Sequence, residues 1–139
     1  MEAAELRTHA DALRKAASDQ QAEMERLLEE LVMTESHASQ PDGVAAVAQK
    51  VVERLSPAGF RDNPVPGSDV SQLPLWLREL MLPGCDYGKI ADVRRLSLPG
   101  VGEPVLILAD LDTAFLPGIT RDFPYTTKGD VASGPGIAD

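Results

Sequence analysis

Apolar and polar positions over the first 33 residues repeat with a helical period. Leu6, Ala10, Leu13, Ala17, Gln20, Met24, Leu27 and Leu31 recur at alternating steps of four and three. One face of a single long helix therefore carries a stripe, and Glu, Arg, Lys, Asp and Gln cover the other faces. Such a stripe either packs along the helix's own domain or, in the Ala- and Leu-rich half before Gln20, meets another chain. After the loop "TESHASQPDG", the positions Val44, Val47, Ala48, Val51, Val52 and Leu55 predict a second helix over residues 43–56. Asp42 is placed as its N-cap, and Pro57 with Gly59 marks its exit. This helix is expected to pack on a sheet.

Beyond Phe60 the pattern changes. "FRDNPVPGSDV" is broken by Pro and Gly and holds one edge strand at most. "LPLWLRELML" predicts a short amphipathic helix or a covering loop, closed by Pro83 and Gly84. "DYGKIADVRRLSLPG" alternates as a second strand, and "EPVLILADL" has the continuous apolar centre expected of a strand buried on both faces. The tail from Thr113 onward reads as loop. The order predicts an α/β fold, with a long N-terminal helix and a second helix packed on a small sheet. The most buried strand comes last, which leaves that sheet incomplete.

Composition narrows the function. A chain of 139 residues with 43% hydrophobic content is long enough for a core of its own. Trp76, two Tyr and three Phe are its only aromatic residues, so aliphatic side chains must fill that core. A net charge of −9 disfavours binding to nucleic acid or an anionic membrane, both of which need clustered Lys and Arg. No apolar run reaches the length of a membrane span, and the charged start lacks the centre of a signal peptide. Cys85 is the one cysteine, which points to a reducing, cytoplasmic compartment and to a packed small hydrophobe rather than a nucleophile.

Candidate chemistry lies at the end of the apolar run, in "ILADLDTAFLPG". Asp110 and Asp112 fall on the same side of an extended chain, because side chains alternate with a period of two. Two carboxylates this close repel unless a cation or shared proton lies between them. The other reading is a solvated turn that caps a strand. In "SGPGIAD", Gly134 and Gly136 allow tight turns ahead of Asp139. His37 falls in the loop between the helices and is expected near the surface, while His9 lies within the first helix.

Taken together, "PVLILADLDTAFLPG" and "FPYTTKGDVASGPGIAD" resemble motifs of the aminoacylase, glutamate carboxypeptidase and acetylornithine deacetylase family of di-zinc metallopeptidases. In that family a strand ends in Gly-His-x-Asp-Thr-Val, followed by a Pro-Phe/Tyr segment and then Gly-x-Gly-x-x-Asp-Met-Lys-Gly-Gly. "LLEELVMTESHASQPDGVAAVAQKVVERLSPAGF" is similar to the family's opening helices. The resemblance spans residues 24–139, with residues 1–23 as a helical extension. It implies that the chain is the N-terminal part of a metallopeptidase-like catalytic domain.

Carried over by position, Asp112 matches the aspartate that orients a metal-bound histidine. Asp139 matches the carboxylate that bridges two divalent metals, zinc by resemblance, with the water between them as nucleophile. Thr113 completes the family's Asp-Thr pair. Asp110 stands where the family has its histidine ligand. A carboxylate there shifts preference toward harder ions such as manganese or magnesium, or marks a site that has lost a metal, and the resemblance also admits manganese or cobalt in place of zinc.

The family's general-base glutamates and remaining ligands fall beyond Asp139. The resemblance therefore implies a hydrolase of N-acyl amino acids or small peptides that a second polypeptide completes. The expected route to two pieces is cleavage of a precursor after Asp139. Two other functions remain open at this point. One is acyl transfer or amide chemistry by a new N-terminal nucleophile on the second piece. The other is a non-catalytic domain that binds a partner through the long first helix.

Overall fold

The computed structural model describes residues 3–81, 88–100 and 102–138. Pro83, Gly84, Cys85 and Asp139, each assigned a role above, lie outside the described residues. The chain forms two units, Met1–Leu31 and Val32–Asp139.

The first unit is helical. α1 runs over Ala3–Asp19 and α2 over Gln21–Val32, so the single helix expected from the stripe is interrupted at Gln20. The Gln20 N–H is shared between the carbonyls of Ala16 and Ala17, each at 3.2 Å, before the ladder resumes with Met24 N–H donating to Gln20 at 2.9 Å. Shared bonds of this kind tighten a helix locally. Ion pairs along the exposed faces, Arg14 with Asp11, Lys15 with Asp19 and Arg26 with both Glu23 and Glu30, follow the three- and four-residue spacing of helix neighbours.

In the second unit, α3 spans Pro41–Leu55. Pro41 stands at its first turn, where a missing N–H costs nothing, and Gln40 is the N-cap. The helix thus starts ahead of the expected Asp42 cap, because proline already holds the required φ. Val44, Val47 and Ala48 are buried and with Val32 form the apolar core. A 3-10 turn over Ser56–Ala58 ends at Gly59, whose φ of 92° reverses the chain as the sequence suggested.

β1 (Arg61–Val65) pairs antiparallel with β2 (Val93–Ser97), with Asn63 opposite Arg95. Pro64 is tolerated because each strand of a two-stranded sheet is an edge. Between them lies the short helix α4 (Leu75–Arg78). The segment read as loop holds more structure than expected: α5 (Ile119–Asp122) and a hairpin of β3 (Thr126–Lys128) with β4 (Val131–Ser133). Gly129, at φ 59°, opens the two-residue turn of that hairpin, as a primed turn requires. The architecture is a mixed α/β arrangement of helices and two-stranded antiparallel sheets.

The largest departure from expectation concerns "EPVLILADL". Val105, Leu106, Ile107 and Leu108 form no strand, and each is 81–85% exposed. Among the described residues no strand pairs with this run. A chain with unmet N–H and C=O groups stays in water when no neighbour offers partners. The run is apolar on both faces, yet neither face is covered.

Candidate functional site

Residues 32–37, "VMTESH", anchor the segment that follows the exposed run. The Thr113 N–H donates to the Ser36 carbonyl at 3.0 Å, within a parallel bridge between His37 and Thr113. The Glu35 carboxylate accepts from Gly118 N–H at 2.8 Å, from Thr120 Oγ1–H at 2.7 Å and from Thr120 N–H at 3.3 Å. These bonds, Gly118 foremost, hold the Glu35 carboxyl below its ordinary range. Met33 Sδ accepts from Tyr125 N–H at 3.3 Å. A Cβ on Gly43 would overlap the Glu35 carbonyl oxygen, so only glycine lets α3 approach this segment so closely.

His37 is buried, with 2% of its surface exposed, which corrects its expected place near the surface. Its Nδ1 accepts from Ser39 N–H at 3.1 Å and lies 2.7 Å from Ser39 Oγ. An Nδ1 that accepts a backbone N–H leaves the proton of neutral imidazole on Nε2. The backbone bridge to Thr113 joins the residue next to Asp112 to the segment that carries this buried ring. Sequence reasoning missed Glu35, Ser36 and His37, because a short polar loop after a helix gives no sign of what will dock on it.

Asp110 and Asp112 are exposed and border one cleft of about 550 Å³. Its walls come from Ala38 and Val44, from residues 90–94 leading into β2, and from residues 108–112. Asp92 and Arg94 also line it. Asp92 accepts Gly67 N–H at 3.0 Å and meets Lys89 Nζ at 3.4 Å, and the Gly67 bond above all keeps its carboxyl below the usual value. Arg94 forms a two-pronged ion pair with Asp62 across the β1–β2 sheet. The cleft thus combines apolar walls with three carboxylates and one guanidinium.

Among the described residues, no group of three or more His, Cys, Asp or Glu side chains is arranged to hold a metal ion. Asp110 and Asp112 alone do not meet the donor set of a two-metal centre, and Asp139 lies outside the described residues. Among those residues, too, no helix is long and apolar enough to cross a membrane.

No family model matches the chain. Over 125 residues it is 29% identical to carboxypeptidase G2 of Pseudomonas sp. (strain RS-16), a match covering 90% of this chain and 26% of that protein. The chain spans about a quarter of the length of this relative. The likeness gives weak support to a peptidase-like hydrolase and extends across both units described above.

Proposed function

We propose that this chain is the N-terminal part of a metallopeptidase-like hydrolase acting on N-acyl amino acids or small peptides in the cytoplasm. The 29% identity to a carboxypeptidase over nearly the whole chain carries the reading. The position of Asp110 and Asp112 on one cleft wall is compatible with it, since the resemblance gives both residues to the site. The chain's own contribution is one wall and its acidic loop, which residues 35–37 anchor on its C-terminal side. A divalent metal, zinc by resemblance, would need further donors, Asp139 and residues of a second polypeptide segment among them.

The exposed apolar run at residues 105–108 supports such a segment, because a strand apolar on both faces needs strands beside its edges and a packed layer over each face. The test is an assay of the full-length protein against a panel of N-acyl amino acids and dipeptides, with metal analysis on the same preparation. Hydrolysis that a chelator removes and a divalent metal restores is expected. A folded full-length protein that holds no metal and cleaves none of the panel would refute the reading.

A further inference from the structure

The stripe along the first unit is left unused by the site. Leu6, Leu13 and Met24 are 51%, 72% and 52% exposed, while Leu27 and Leu31 are half-buried. The stripe keeps a strict seven-residue repeat from Leu6 to Leu31, the period that lets one helix follow another. Helices of these lengths gain only about 0.2–0.5 kcal/mol from each local side-chain pair, so an apolar seam running across the interruption at Gln20 is the larger source of order.

We propose that α1 and α2 pair with the same helices of a second copy of the chain, running antiparallel. Side-chain size selects that direction. Antiparallel, Leu6 lies opposite Leu31, Ala10 opposite Leu27, Leu13 opposite Met24 and Ala17 opposite Gln20. Every alanine then meets a longer side chain, which fills the space it leaves. In a parallel pair each residue meets itself, so Ala10 and Ala17 form layers with voids and two Gln20 side chains face each other inside the seam.

Charge selects the same direction. Residues 3–19 carry Glu5, Asp11 and Asp19 against Arg7, Arg14 and Lys15, three minus three, for a net charge of zero. Residues 20–31 carry Glu23, Glu25, Glu29 and Glu30 against Arg26, one minus four, for a net charge of −3. A parallel pair sets the two acidic halves side by side, whereas an antiparallel pair sets each against a neutral half.

The test uses the full-length protein with Cys85 and every other native cysteine replaced by serine, and a short thiol-specific cross-linker. Ala10→Cys chains mixed with Leu27→Cys chains should cross-link to each other, and neither should cross-link to itself. Leu13→Glu, within the seam, should lower the cross-linked yield about tenfold or more. Ala22→Glu, on the opposite face, should leave it unchanged, with helix content measured by circular dichroism in both. Self-linking of Ala10→Cys would show a parallel pair and overturn the proposal. An absence of cross-links in the mixture, or equal yields from the Leu13 and Ala22 variants, would overturn it as well.

Discussion

The carboxylate of Glu35 accepts the backbone N–H of Gly118 at 2.8 Å across 83 positions of sequence. With the two bonds from Thr120, it ties the loop after α2 to the start of α5. The acidic loop of the candidate site lies just before this tie, so its position depends on a residue that makes no contact with substrate in the proposed function.

Removing that carboxylate should therefore loosen the site before it unfolds the protein. Glu35→Ala leaves the N–H groups of Gly118 and Thr120 without their charged acceptor, at a cost of about 1–3 kcal/mol. Thermal unfolding checks the cost, and amide exchange at residues 113–120 should accelerate in the variant.

The same tie predicts a pH dependence. Hydrogen bonds from Gly118 and Thr120 lower the folded-state pKa of Glu35 from an ordinary 4.5. A depressed carboxyl contributes stability above its unfolded value and loses it as pH falls through the folded value. Glu35→Gln should therefore be less stable than the parent at neutral pH, and the gap should close as the solution is acidified below the ordinary range. An equal gap at both pH values would show that charge plays no part.

Gly67 makes a second close approach. A Cβ there would overlap the Ile90 carbonyl oxygen and lie 2.6 Å from that of Ala91, both on the cleft wall. Gly67→Ala should push the two segments apart, break the 3.0 Å bond to Asp92 and cost about 1–3 kcal/mol. Urea unfolding of the variant measures this directly.

If a further segment completes the site as proposed, the exposed run should behave differently with and without it. Residues 1–139 alone should aggregate, and Ile107→Lys should raise their solubility, because an open apolar segment recruits strands. In the full-length protein the amides of residues 105–108 should be protected from exchange, and Ile107→Lys should destabilise it. Fast exchange at these amides in the full-length protein would contradict a covered strand.

Periodicity made the helices legible. The buried face of α3 was readable from Val44, Val47 and Ala48, whose spacing fits one side of a helix and nothing else. The two strands β1 and β2 were visible separately, from alternation at Val93–Ser97 and from the Pro-broken segment that could serve only as an edge, but their antiparallel pairing was not. The run Val105–Leu108 forms no buried strand in residues 1–139, because apolar content reports what a segment is able to bury, not whether a neighbour is there to bury it. The Gly129 hairpin went unnoticed because its strands have three residues each, too short for a period to emerge. Asp110 and Asp112 stood out as a pair, but the loop that positions them did not. Its bonds join residues far apart in sequence and leave no local pattern.

The most direct test of the central claim compares hydrolysis of N-acyl amino acids and dipeptides by the full-length protein and its Asp112→Ala variant, at matched folding and metal content. A measurable parental rate that falls about 10–100-fold in the variant is expected, the range for removal of a group beside a metal ligand. A variant as active as its parent would place the chemistry elsewhere and contradict the assignment of this acidic loop to a hydrolytic site.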